Sequence, residues 1–138
     1  MINLEKVLHT GASRVAGGRD GYASSPDGRL DIRLTPPGAP GAGTNPEQLL
    51  AAGWSACFLG ALRHACNARR LACPATAAVC TEVDLVHAER GFFLRARLLV
   101  SLPGVEPELA GALIDAAREA CPYSKAMRGT VRVDFLLD

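Results

Sequence analysis

The sequence predicts an α+β fold in which antiparallel sheet packs on helices. Three observations carry that expectation. Stretches of period-two alternation fall near residues 30–34, 79–100 and 131–137. Two stretches of helical spacing, 46–69 and 107–120, lie between them. The order is therefore strands, helix, strands, helix, strand, which points to an α+β fold with antiparallel sheet packed on helices.

Taken in order, Ile2, Leu4 and the segment near Val7 predict an edge strand, and Gly17-Gly18-Arg19-Asp20-Gly21 a turn. Asp27-Gly28 is a turn signal. It precedes Leu30, Ile32 and Leu34, which alternate with Asp31 and Arg33 as in a half-buried strand. The Pro/Gly-rich stretch from Thr35 to Gly43 reads as a loop, too short to separate domains. A helix starts at Thr44-Asn45-Pro46-Glu47. Asn45 is a suitable cap, Pro46 suits the first helical position, and Glu47 suits the positive end of the dipole. It runs to about Arg69 and is apolar nearly all round, more than one subunit of this size can wrap, which argues for a dimer. Val79, Thr81, Val83 and Leu85, a turn at Gly91, and the alternation from Phe93 to Val100 predict a hairpin. Pro107 opens a second helix with Leu109, Leu113, Ala116, Ala117 and Ala120 at helical spacing, and Val131, Val133, Phe135 and Leu137 form a last strand.

With 138 residues, no internal repeat and no linker, residues 1–138 are expected to form one domain. Aromatics are only 5% of a chain that is 49% hydrophobic, so Ala, Leu and Val must build the core. The 13 Arg and 2 Lys are dispersed and the net charge is +1. No strong field favours nucleic acid or an acidic membrane. The low-charge stretch from Gln48 to Leu62 has 15 residues, short of the ~20 that span a bilayer. No secretory pattern opens the chain, so the expected compartment is the reducing cytoplasm, where disulfides are more often catalytic than structural.

Cysteines at 57, 66, 73, 80 and 121 are an odd number and contain no Cys-x-x-Cys pair, and His9, His64 and His87 are scattered. No metal is expected, and no cofactor, since nucleotide-binding glycine patterns are absent. Cys57 lies inside the apolar helix, where a cysteine is usually a small filler and where burial opposes thiolate, so reactivity there needs a nearby cation. Cys121 lies in Ala120-Cys121-Pro122-Tyr123-Ser124. Pro122 ends one helix and suits the start of another turn, which places Cys121 at a helix N-terminus that favours thiolate. A buried boundary thiol is the alternative. Glu47 is either a dipole partner or catalytic. Arg19 is either a turn arginine or a guanidinium delivered to a site, where it stays charged when desolvated. Cys66, Cys73 and Cys80 are treated as spectators.

Four segments together resemble the organic hydroperoxide resistance (Ohr) group of the OsmC/Ohr family: Gly17-Gly18-Arg19-Asp20-Gly21, Thr44-Asn45-Pro46-Glu47-Gln48-Leu49, Ala51 through Phe58, and Cys121 through Gly129. The resemblance covers essentially the whole chain. It implies an intertwined homodimer with central helices wrapped by antiparallel sheets. It implies Cys57 as peroxidatic cysteine, Cys121 as resolving cysteine within the same subunit, and a supporting Arg19–Glu47 pair. It also implies organic hydroperoxides as substrates, and a lipoylated protein or dihydrolipoamide as reductant. Trp54, Lys125 and Met127 stand where Tyr, Asn and Thr are usual in the family. Leu50, Trp54, Phe58, Tyr123 and Met127 are the expected apolar substrate-binding residues. An OsmC-type peroxidase, a redox-sensing thiol switch and a non-catalytic ligand-binding module are the rival readings.

Spacing adds one constraint. Glu47 and Cys57 are ten residues apart, ~15 Å along an unbroken helix and about 80° around it. Either Arg19 spans much of that gap, or Gly53 bends the helix, or Arg19 and Glu47 come from the other subunit. The last is the expectation taken here.

Overall fold

A computed structural model describes residues 4–138. They fall into two compact units, one running to Pro46 and the other beginning at Glu47.

The first unit is a three-stranded antiparallel sheet, β1 (Arg14–Ala16), β2 (Tyr22–Ser24) and β3 (Asp31–Arg33), in that spatial order. β3 is the alternating stretch expected around residues 30–34. β1 and β2 are too short for periodicity to reveal. The expected strand near Leu4 and Val7 is corrected: residues 4–13 have no regular structure, Leu4, Val7 and Leu8 are exposed, and no strand among the described residues pairs with them. Ile2 lies outside the described residues. Between β1 and β2 the Gly-Gly-Arg-Asp-Gly segment forms a single 3-10 turn, Gly18–Asp20. Gly17 and Gly18 enter it at φ +85° and +70°, a left-handed region that a side chain would strain. The Pro/Gly-rich loop is clasped at its ends: Thr35 N–H donates to Thr44 C=O, and Gly43 N–H to Thr35 Oγ1.

α1 (Pro46–Ala68), which belongs to the second unit from Glu47 onward, is unbroken through Gly53. The hairpin β4 (Ala78–Ala88) and β5 (Gly91–Ser101) follows, then α2 (Pro107–Ala120), α3 (Pro122–Met127) and β6 (Arg132–Leu137). β4 and β5 pair antiparallel over their full length. The α+β architecture with antiparallel pairing is as expected, and β6 adds one parallel pairing with β5, from Arg95↔Arg132 to Val100↔Leu137, which makes the second sheet mixed. The connection from β5 runs through two helices, long enough for the crossover that a parallel pair requires.

Alternation on β5 turns Ala96, Leu98 and Val100 inward, against Trp54, Phe58 and Leu62 of α1 and Leu113 and Ala117 of α2. The outward face carries charges in cross-strand register. Arg97 donates to both oxygens of Asp84 at 2.8 and 3.1 Å, and Arg95 Nε donates to Asp84 at 3.1 Å. These guanidiniums hold the Asp84 carboxyl down at about 2.

At 23 residues α1 is long and apolar enough, by length and composition, to cross a bilayer. Its buried residues, Trp54, Phe58, Ala61, Leu62, Ala65 and Cys66, instead pack into this chain's core. Only 28% of its most apolar window is buried, however, and Ala52, Ala56 and Gly60 line its open side.

Candidate active site

The buried face of α2 is Ala110, Leu113, Ile114 and Ala117. Cys121 continues that stripe one turn on and is fully buried, while Ala116 and Ala120, expected in the apolar set, lie on the open side. Cys121 is at once the last cap of α2 and the first of α3. Its N–H donates to Ala117 C=O, and its own C=O accepts from Lys125 N–H. The Cys121-Pro122 junction thus sits at a helix N-terminus, as expected. Half-buried Cys57 faces it from the middle of α1. The Cys121 thiol donates to Cys57 Sγ at 3.5 Å, across 64 positions of sequence. Both thiols are free. Closing to a disulfide at ~2.05 Å asks for about 1.5 Å of approach.

Two opposing influences act on Cys57. Burial pushes its thiol above the ordinary range, and the adjacent Cys121 adds to the rise. Against this, the nearby backbone N–H of Tyr123 pulls the thiol down and favours thiolate. That donor has a local origin. The first turn of a helix leaves its N–H groups unpaired, and Pro122 at the first position has none, so Tyr123 supplies the next. The rise prevails, so Cys57 is left a weaker acid than an ordinary thiol.

α3 is pinned to α1 beside the sulfurs. The indole N–H of fully buried Trp54 donates to Ser124 Oγ at 3.1 Å. Gly53 lets Tyr123 approach: a Cβ there would come within 2.9 Å of the Tyr123 hydroxyl and 3.3 Å of its ring. On the sheet side, Ser55 Oγ donates to Thr81 Oγ1 at 2.8 Å and accepts from Thr81 N–H. Tyr123 N–H, Ser124 and Ser55 were not singled out from sequence, and Gly53 was considered only as a bend in the helix. Only Tyr123 left a signal, as the residue after a helix-opening proline.

The other expected site residues fall as follows. Arg19 is exposed on the 3-10 turn of the first unit. Glu47 is half-buried in the first turn of α1, ten residues from Cys57 on a continuous helix. Leu50 and Met127 are half-buried, and Tyr123 keeps 39% of its surface. Trp54 and Phe58 are buried in the core. Both have no exposed surface, and Phe58 packs its ring on Phe135 with centroids 5.4 Å apart. They are core residues because α1 turns the 54–58–62 face inward. A cavity of about 190 Å³ bordered by Trp54, Ser124, Arg118, Arg128, Val131 and Phe135 has neither cysteine in its wall.

The family model for OsmC-like proteins matches residues 38–135. An organic hydroperoxide resistance protein of Xanthomonas axonopodis pv. citri (strain 306) is 39% identical, with 99% of each chain covered. Organic hydroperoxide resistance protein OhrB of Bacillus subtilis (strain 168) is 39% identical over 95% of this chain and 98% of its own length. The crystal structure of the Bacillus subtilis OhrB superposes with a TM-score of 0.90, covering 96% of this chain and 100% of that one. An organic hydroperoxide resistance protein structure from Legionella pneumophila gives the same score at 39% identity, covering 96% and 99%. With a matching family model, relatives similar along nearly the full length and the same tertiary structure, the chain belongs to the OsmC/Ohr family.

Proposed function

We propose that this chain is a thiol-dependent peroxidase that reduces organic hydroperoxides to alcohols, with Cys57 as attacking and Cys121 as resolving thiol. The observation that carries the reading is the 3.5 Å approach of those two sulfurs. The substrate class follows from relatives named for organic hydroperoxide resistance.

Deprotonated Cys57 attacks the peroxide oxygen distal to the alkyl group. The S–O bond forms, the O–O bond breaks, and the alkoxide takes a proton and leaves as alcohol. Cys121 then attacks the Cys57 sulfenic acid, expelling water and forming the disulfide. A dihydrolipoyl dithiol, free or on a lipoylated protein, restores both thiols by exchange. Because burial alone disfavours the Cys57 thiolate, the reaction calls for a cation. Arg19 is assigned that role, helping to stabilise the departing alkoxide, and Glu47 orients it. Leu50, Tyr123 and Met127, which keep exposed surface on α1 and α3, are assigned to the alkyl group. The working unit is a homodimer. The largely uncovered α1 and the exposed Leu4, Val7 and Leu8 support a second copy of the chain as what covers them.

Consumption of cumene hydroperoxide with dihydrolipoamide tests the reading. Cys57→Ser should abolish turnover, and Cys121→Ser should allow one turnover before Cys57 overoxidises. Full multiple turnover by Cys57→Ser would end the proposal, and oxidation that stops after one cycle in the unaltered protein would indicate a sensor instead.

A further inference from the structure

A second pair of cysteines lies at the C-terminal end of α1 and the turn that follows it. Cys66 is the last core-facing residue of the helix and only 1% exposed. There the chain reverses. Arg70 N–H donates to Asn67 C=O, Leu71 N–H donates to Cys66 C=O, and Arg70 takes a left-handed φ of 56°. This is a Schellman closure, made here without the usual glycine. It turns residues 71–73 back toward the helix end. Half-buried Cys73 packs against the core cluster that holds Cys66, and as a neighbour its thiol helps push the Cys66 thiol up. Cys66 also walls a cavity of about 260 Å³ with Leu71, Val105, Leu109 and Leu113, wide and apolar enough for an alkyl chain. Nine residues of helix, ~13 Å, separate Cys66 from Cys57, too far for direct exchange between the pairs.

We propose that Cys66 and Cys73 are a second, reversible redox pair that closes to a disulfide under organic hydroperoxide and clamps the end of α1. Cys73, the more accessible sulfur, attacks the distal peroxide oxygen. Its S–O bond forms as the O–O bond breaks, and the alkoxide leaves as alcohol with the thiol proton. Cys66 attacks the resulting sulfenic sulfur. The S–S bond forms, the S–O bond breaks, and hydroxyl departs as water with the Cys66 proton. Two thiols are oxidised by two electrons and one hydroperoxide is reduced. Burial and the neighbouring thiol both push Cys66 above the ordinary thiol range, consistent with its resolving part. The pairing accounts for an odd cysteine count: two pairs and Cys80, which is exposed on β4.

The test is a thiol count on the full chain before and after excess cumene hydroperoxide. The unaltered protein starts with five free thiols. Two closed pairs leave one, and the Cys57–Cys121 pair alone leaves three. In the Cys57→Ser/Cys121→Ser variant the count should fall from three to one, so the result does not depend on the proposed peroxidase site. Adding Cys73→Ser should hold it at two. Trypsin cuts after Arg69 and Arg70, so the disulfide should join peptide 64–69 to peptide 71–90, with fragmentation placing the bond at Cys73 and dithiothreitol releasing it. Persistence of three thiols in the double-serine variant, a bond to Cys80, or a loss that dithiothreitol does not reverse would overturn the inference.

Discussion

The contact that fixes α3 beside Cys57 is open to a quantitative test, because Trp54 and Ser124 form a single buried hydrogen bond between side chains 70 positions apart. Ser124→Ala leaves the indole N–H buried without a partner, which costs about 1–3 kcal/mol. Trp54→Phe removes the donor and leaves a cavity. At about 24 cal/mol per Å³, a residual void of roughly 40 Å³ costs about 1 kcal/mol, and the lost bond about 1 more. The double variant loses the bond only once, so its destabilisation should fall short of the sum by about 1 kcal/mol. Guanidinium unfolding of all four proteins at one fixed protein concentration reads this coupling free of association effects. The anchor also bears on chemistry, since α3 carries the Tyr123 N–H that favours the Cys57 thiolate. Ser124→Ala should therefore move the pH midpoint of Cys57 alkylation upward. Strict additivity, within about 0.3 kcal/mol, together with an unmoved midpoint would refute the idea that this bond holds the sulfur site together.

Arg19→Ala should raise the pH midpoint of Cys57 alkylation by about one unit or more, because burial already raises the thiol and the assigned cation would be gone; an unchanged profile, followed by mass of the Cys57 peptide, would remove Arg19 from the mechanism. Asp84→Asn tests the outward face of the hairpin. The native carboxyl is held at about 2, below its ordinary ~3.9, so its contribution is complete above about pH 4 and fades as pH falls toward 2. The stability gap between native and Asp84→Asn protein should accordingly be largest near neutral pH and shrink between pH 4 and 2 in thermal melts, and a gap independent of pH would contradict the network's role.

Much of the element order follows from short-range rules visible in the chain. Pro46 and Glu47 mark the start of α1, Gly91 the hairpin turn, Pro107 the start of α2, and Pro122 the break that sets Cys121 at a new helix. Each depends on the residue's own φ, its missing N–H or its near neighbours. Period-two alternation likewise assigns Ala96, Leu98 and Val100 to one face of β5 before any partner is known. The same rules misled where spacing had no partner to confirm it. Leu4 and Val7 have apolar side chains but no strand beside them among the described residues. Ala116 and Ala120 have helical spacing but lie on the open side of α2.

What the amino-acid order determined by itself is therefore local: where helices and strands begin, which residues alternate, and which cysteines sit at a break or within an apolar run. The tertiary structure alone decided the direction of β6, the burial of Trp54 and Phe58, and the meeting of Cys57 with Cys121. The reason is physical. Periodicity and capping report interactions over three or four residues, whereas the approach of two sulfurs depends on how whole elements close on one another, which no local pattern encodes.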